Sequence, residues 1–396
     1  MDLDLVFLGT SASMPTARRA PAALLLRRGG ERLLFDCAEG TQRQLQRSAV
    51  GLPELEEIFL THLHADHVLG LPGMLKTFAL RGREEPGLTV YGPHGVRDLF
   101  GKLKPFLGRL PYGLTIVELA PGEVLERGGY RLETFAVDHG VPAVGYALVE
   151  EERPGRFDVD AAAALGVRPG PERGILQGGD PVTLSDGTVI TPDEVLGPAR
   201  PGRRLAITGD TAPAPSVVQA AYRADLLVHE ATFGATEKER ARETLHSTAA
   251  EAGEVAKLAE VKLLALTHVS PRYLGSELVD EARAIFADVV VPHDFDTIEI
   301  PFRERGVPHL VRRGAAAGRS PYDPNAMSRM IQVATAGDVT EAEELQELLR
   351  NAGIDAEVEA ADEEDGLMVM VPESSLEAAQ DAIEALSEPD DLIAEP

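Results

Sequence analysis

In the segment Thr61-His62-Leu63-His64-Ala65-Asp66-His67, four of six consecutive positions carry metal-ligating side chains: His62, His64, Asp66 and His67. On a regular helix or strand these groups would point in inconsistent directions, whereas in a strand-to-helix loop three imidazoles and a carboxylate can converge on one spot. Imidazole and carboxylate are borderline-to-hard ligands, suited to zinc, manganese or iron. Four ligands from one loop leave coordination to be completed from elsewhere, and candidates stand where three other apolar segments end: Asp138-His139, Gly209-Asp210 and His268. Singly, Asp-His and Gly-Asp also occur as ordinary turn pairs. Combined with the cluster they make five histidines (His62, His64, His67, His139, His268) and two aspartates (Asp66, Asp210), which suits two metal ions. Asp210 is then the natural bridge, since a carboxylate has two ligating oxygens. Two ions about 3.5–4 Å apart can hold a hydroxide and clamp both oxygens of a phosphoryl displacement.

Such a set needs a scaffold that delivers several loops to one place. Short apolar strands are expected at 3–8, 23–26, 33–36, 58–61, 89–91, 132–137, 205–208, 226–229, 263–267 and 289–292, alternating with helical stretches. Nearly every ligand candidate falls just after one of these strands, where sites of layered α/β proteins gather. Residues 151–200 differ, with 14 Gly or Pro in 50 and little periodicity, and are expected to form a projecting functional arm.

The H-x-H-x-D-H cluster with its distal His, Asp and His resembles the metal signature of the metallo-β-lactamase superfamily. Further segments narrow the resemblance to the ribonuclease Z family of tRNA 3′-processing endonucleases. They are Phe7-Leu-Gly-Thr-Ser-Ala-Ser-Met-Pro15, Phe35-Asp-Cys-Ala-Glu-Gly-Thr-Gln42, Tyr91-Gly-Pro93, Thr208-Gly-Asp-Thr211, His229-Glu-Ala-Thr232, His246-Ser-Thr248 and Leu266-Thr-His268. The resemblance covers about residues 1–313 and implies an α/β metallo-β-lactamase αββα sandwich with a projecting arm at about 151–200. It implies two zinc ions per subunit: His62, His64 and His139 on one, Asp66, His67 and His268 on the other, and Asp210 bridging. It also implies a homodimer in which one subunit's arm reaches tRNA serving the other's site. On those positions, water made acidic by the ions attacks phosphorus in line, and Asp66 doubles as acceptor for its proton. His246 is the candidate general acid for the leaving ribose 3′-oxygen, with Glu230 orienting its imidazole. The alternatives on sequence alone are a residue at a helix N-terminus for His246 and a solvated strand end for Glu230. The expected reaction is removal of 3′ trailers from precursor tRNA, leaving a tRNA 3′-hydroxyl. A small-substrate phosphodiesterase or arylsulfatase, and a regulatory binding protein, are the alternatives.

The sequence departs from the family pattern in three places. The usual Pro-x-Lys-x-Arg-Asn loop reads Pro15-Thr-Ala-Arg-Arg-Ala20, Ala38 replaces a glycine, and the arm carries Gly170-Pro-Glu-Arg-Gly-Ile-Leu-Gln-Gly178 at its tip. That arm holds 5 Arg, no Lys and 9 acidic residues, so a weak grip on phosphate is expected.

The length of 396 residues predicts two or three folded units at roughly 100 to 200 residues each. A net charge of −27 argues at first sight against an anionic partner. Its distribution changes that reading. Residues 314–396 hold 3 Arg, no Lys and 21 acidic residues, net −18, which leaves 35 basic and 44 acidic residues, net −9, in 1–313. Two windows, 18–47 and 76–109, each hold seven basic and three acidic residues. A linker is expected at 314–328, then an acidic β-α-β-β-α domain at 329–396: strands at 330–335, 354–358 and 367–371, helices at 340–351 and 374–386, and a turn at 362–365. Its element order resembles small ferredoxin-like α+β modules, and a regulatory role is expected. Cys37, the single cysteine, excludes an intrachain disulfide and reads as a small buried residue. An acidic start without a basic n-region, and no apolar run near 18 residues, predict a soluble cytoplasmic protein without a membrane span.

Overall fold

The computed structural model describes residues 2–312 except 49, 53 and 54, the segments 330–336, 357–360 and 367–372, and single residues between 342 and 379. The chain divides into two compact units, Met1–Arg313 and Gly314–Pro396.

The first unit contains two sheets. Strands β1 (Leu3–Gly9), β2 (Ala23–Arg28), β3 (Glu31–Phe35), β4 (Glu57–Phe59), β5 (Leu88–Gly92) and β6 (Leu114–Glu118) belong to one sheet. The chain then builds the second from β7 (Val124–Arg127), β8 (Tyr130–Ala136) and β9 (Val144–Glu150). After a short hairpin, β10 (Val182–Thr183) and β11 (Val189–Ile190), it adds β12 (Arg204–Ile207), β13 (Leu226–Glu230), β14 (Leu263–Thr267) and β15 (Val289–Val290). Strands β16 (Thr297–Glu299) and β17 (His309–Val311) return to the first sheet, whose order is β17-β16-β1-β2-β3-β4-β5-β6. The second runs β15-β14-β13-β12-β9-β8-β7.

Strands apolar on both faces require cover on both faces. In β1, Leu3, Leu5 and Phe7 enter the core between the sheets, while Val6 and Leu8 face helices α1 (Thr41–Arg47), α3 (Leu71–Leu80) and α4 (Val96–Leu107). Short α2 (Ala65–Val68) precedes α3. In β13, Leu226 and Val228 point between the sheets and Leu227 points outward. That outer face is covered by helices α7 (Pro215–Ala220), α9 (Ala249–Leu258) and α10 (Gly275–Arg283). The result is a four-layer αββα sandwich. Its centre is aromatic: Phe59 stacks on Phe35 at 5.2 Å and on Tyr91 at 4.8 Å, with Tyr146 edge-on at 5.5 Å.

Strands β3 to β6 run parallel, as do β12 to β15, so their C-terminal ends feed loops to a common edge. Between antiparallel neighbours β9 and β12 lies an insertion with α5 (Val159–Ala164), α6 (Pro171–Gly178) and the β10–β11 hairpin. It has a core of its own, including Ala162, Leu176, Ile190 and Val195. Helix α8 (Lys238–Thr244) precedes α9.

In the second unit, β18 (Met330–Ala336), β19 (Glu357–Ala360) and β20 (Leu367–Pro372) form an antiparallel sheet with β20 central. The strand expected at 354–358 begins later, because Ile354 is buried and its N–H donates to Leu349 O at 2.9 Å. The expected linker, the turn at 362–365 and most of both expected helices lie outside the described residues. Among the described residues no helix is long and apolar enough to cross a membrane.

Candidate metal centre

The turn after β4 delivers His62 and His64, and α2, opening at Ala65, carries Asp66 and His67. His64 Nδ1 lies 3.0 Å from His62 Nε2 and 3.1 Å from the Nε2 of His139, which follows β8. Asp66 Oδ2 lies 3.3 Å from Nε2 of His268, which follows β14, and 3.7 Å from His67 Nε2. One oxygen, Asp210 Oδ2, reaches both groups: His268 at 3.4 Å, His67 at 3.5 Å, His62 at 3.8 Å and His139 at 3.9 Å. The seven residues singled out for metal in the sequence therefore meet in one place. Gly209 allows this, since it adopts φ +64° and a Cβ there would sit 2.6 Å from Thr61 Cβ.

Outside the cluster, the second ring nitrogen of four histidines is held by the fold. His62 Nδ1 meets Thr61 Oγ1 at 3.1 Å, His67 Nδ1 meets Asp36 Oδ2 at 2.8 Å, His139 Nδ1 meets Leu245 O at 3.1 Å and His268 Nδ1 meets Thr232 Oγ1 at 2.8 Å. Fixing that nitrogen aims Nε2 inward, the usual support of a ligating imidazole. Asp36 and His268 reach these positions in the left-handed backbone region, φ 58° and 54°, which is uncommon for residues bearing a Cβ.

The donors fit metal cations. His67 Nε2 is buried without a hydrogen-bond partner among the described residues, and His64 Nδ1 faces the Nε2 atoms of His62 and His139 at 3.0 and 3.1 Å. A neutral imidazole offers one N–H, so lone pairs are left pointing at lone pairs unless a positive charge lies between them. Protonation is opposed at His62, whose pKa is pushed down to about 2 by burial and then by His67. Burial alone would raise the Asp210 carboxyl, but His268 and His67 outweigh it and hold the group well below the usual range. At His67 burial is outweighed in the opposite sense by Asp210 and Asp36, so its pKa rises.

His246 stands beside this cluster. Leu245, at φ 55°, ends α8 and turns the chain so that its carbonyl meets His139 while His246 enters the site. The capping box of α9, Thr248 with Glu251, then fixes the following turn. His246 Nδ1 lies 2.7 Å from Glu230 Oε1, so Nε2 is the ring nitrogen left for chemistry. Glu230, the last residue of β13, is fully buried and accepts hydrogen bonds from Thr211 N (2.9 Å), Thr232 N (3.1 Å) and Thr232 Oγ1 (2.7 Å). A solvated strand end is thereby excluded for Glu230. The pair's mutual attraction outweighs burial and pushes the His246 pKa up to about 9.

Sequence reasoning assigned no role to Asp36, Thr232 or Ser13. Thr232 Oγ1 joins Glu230 to His268, and Ser13 N donates to Asp66 Oδ2 at 2.9 Å. Each lies inside a quoted motif, and a carboxylate directly after a strand was the available signal for Asp36. The Ser13 loop continues into a groove of about 430 Å³ whose lining includes Arg18, Arg19, Arg43 and Arg47.

Two three-residue donor groups sharing one aspartate, at the loop edge of an αββα sandwich, define a hydrolase site of the metallo-β-lactamase class. Residues 17–268 match the Metallo-beta-lactamase superfamily. Ribonuclease Z of Methanosarcina acetivorans is 44% identical over 305 residues, 76% of this chain and 99% of that protein. Ribonuclease Z of Myxococcus xanthus is 47% identical over 306 residues, again 76% and 99%. The crystal structure of human tRNase Z, short form, aligns with TM-score 0.56 and 28% identity, covering 75% of this chain and 99% of that one. The chain belongs to the ribonuclease Z family.

Proposed function

We propose that this chain is a zinc-dependent endoribonuclease, a phosphodiester hydrolase, that removes 3′ trailers from precursor tRNA and leaves a 3′-hydroxyl on the tRNA. The observation that carries the reading is the pair of half-buried His246 and buried Glu230 beside the ligand cluster, with Nδ1 occupied at 2.7 Å. A ribose 3′-oxygen leaves poorly without a proton, and His246 Nε2 is the group beside the donors that can supply one. Glu230, kept ionised against its burial chiefly by His246, steadies the positive charge the ring carries before it gives up that proton, and is itself held in place by the hydrogen bonds it accepts from Thr211 N and Thr232 Oγ1. Asp66 Oδ2, fixed by the Ser13 N–H, is placed to accept the proton of an attacking water. His62, His64 and His139 would hold one zinc ion and Asp66, His67 and His268 the other, with Asp210 common to both. Bound there, the ions supply Lewis acidity and lower the pKa of water.

The same proposal makes the working unit a cytoplasmic homodimer, in which the insertion of one subunit meets tRNA serving the other's site. Leu69, Leu80 and Phe106, exposed by 57%, 84% and 79% on or beside α2 to α4, are apolar groups that a second subunit would cover. The test is incubation of the zinc-loaded full chain with precursor tRNAs with and without an encoded CCA, mapping both product ends. Cleavage leaving a tRNA 3′-hydroxyl is expected. Failure to cut either RNA, with turnover of bis-p-nitrophenyl phosphate retained, would overturn the reading in favour of a small-substrate phosphodiesterase.

A further inference from the structure

The insertion at 151–200 joins the sandwich through a narrow neck of two antiparallel chains. Arg153 and Arg200 exchange both backbone hydrogen bonds at 2.8 Å, and further along Gly197 N donates to Arg156 O at 2.9 Å and Asp158 N to Val195 O at 2.7 Å. The chains touch so closely that a Cβ on Gly155 would lie 1.8 Å from Gly197 O. Each chain of the neck sends a guanidinium to the same carboxylate. Arg153 binds Glu304 through both nitrogens, Nη1 to Oε1 at 2.8 Å and Nη2 to Oε2 at 3.1 Å, and Arg200 Nη1 reaches Oε1 at 3.1 Å. Arg153 also stacks on Phe302, 3.5 Å from its centroid, and buried Arg203 lies 4.0 Å from the same centroid.

Glu304 does not belong to the insertion or to the sheet from which it springs. It sits between β16 and β17, at the edge of the first sheet, whereas the neck emerges from β9 and β12 of the second. An isolated surface ion pair contributes little, but one carboxylate shared by a two-pronged and a second guanidinium has defined geometry. The hydrogen bond from Arg153 holds the Glu304 carboxyl down to about 2, so the latch stays charged throughout the neutral range.

We propose that Glu304 is a positioning residue for the RNA reaction, latching both chains of the insertion's neck to the first sheet and so fixing where the insertion meets tRNA. This inference rests on the precursor-tRNA reading above. Binding of a large substrate depends on the latch; hydrolysis of a small phosphodiester at the metal centre does not.

The test uses the full zinc-loaded chain carrying Glu304→Gln, with hydrogen–deuterium exchange followed in peptides spanning the neck. Faster exchange there, KM for precursor tRNA raised about tenfold, and kcat and bis-p-nitrophenyl phosphate turnover within twofold of the parent are expected. Arg200→Gln should reproduce this split, and serves alone if Glu304→Gln does not fold. Unchanged neck exchange, or an unchanged KM despite faster exchange, overturns the proposal. If the parent chain does not cleave precursor tRNA, the functional reading fails by itself. Neck exchange then still reports on the latch: faster exchange in Glu304→Gln upholds it and unchanged exchange overturns it.

Discussion

Asp36 offers a direct test of how the fold aims His67, a proposed metal ligand. Its buried carboxylate is not one of the clustered donors, yet it accepts from His67 Nδ1 at 2.8 Å and Thr61 Oγ1 at 2.9 Å on Oδ2, and from Thr61 N at 2.8 Å on Oδ1. Replacement by Asn keeps the volume and converts one acceptor into a donor. If the amide nitrogen faces Thr61, the backbone N–H after β4 loses its partner and the His62 loop is freed. If it faces His67, the ring must expose Nδ1 as acceptor and place its proton on Nε2, the nitrogen that points at Asp210. Either way the ligand set is disordered or blocked, and changes of this kind in groups supporting a ligand cost about 10–100-fold in metal affinity. That corresponds to about 1.4–2.7 kcal/mol of binding. Zinc affinity of Asp36→Asn, measured at neutral pH by competition with a chromogenic chelator, should fall within that range while circular dichroism shows the fold retained. Affinity within twofold of the parent would refute the idea that Asp36 aims His67.

Other expectations concern the chemistry, the core and the RNA surface. His246→Ala should lower precursor-tRNA cleavage by about 10²–10⁴-fold at unchanged zinc content; a loss of less than tenfold at full zinc occupancy would remove His246 from proton transfer. Cys37 is fully buried, and burial pushes its thiol from 9.0 up to about 12. The folded pKa exceeds the unfolded one, so its contribution to stability is complete below about pH 9 and lost as pH rises towards 12. A thiol-reactive disulfide reagent should therefore label nothing in the native chain at pH 8 and one equivalent in urea, and native labelling would contradict the burial. Arg18→Ala and Arg43→Ala, which empty cationic positions of the groove beside Ser13, should each reduce the slope of log K against log salt by about 0.7–0.9 in tRNA titrations. An unchanged slope would place the RNA elsewhere.

Much of this site was legible because metal chemistry restricts residue type. His62, His64, Asp66 and His67 announce themselves by spacing, and the partners at 139, 210 and 268 by following strands. What orients them was not legible in the same way. Asp36 lies 31 positions from His67, and Thr232 lies 36 from His268; only strand order brings each pair together. The fold shows a similar division. Strands with continuous apolar runs, such as β1 and β14, stand out, whereas β9 does not, since Gly145 interrupts it and Pro142 stands just before it. Pairing with β8 and β12 specifies it instead. Strands β16 and β17 are three residues each, too short to carry a period, and are held by pairing across the sheet edge.

Charge needs the same separation of local from whole-chain properties. Two-thirds of the −27 lies in residues 314–396, outside the sandwich, and several carboxylates of the first unit are inward-facing: Asp36, Asp210 and Glu230 at the centre, Glu150 between Arg28 and Arg203. Cations are withdrawn from the surface too. Of the five arginines at 151–200, Arg153 and Arg200 are engaged by Glu304, and Arg173 is turned onto Phe157 and Val167 O. The insertion therefore has fewer phosphate-binding groups than its composition suggests, and holds two of its charges in a fixed latch. In the proposed RNA reaction such an insertion would contribute more by where it stands than by how strongly it attracts RNA, so its orientation, set through Glu304, would matter more than its net charge.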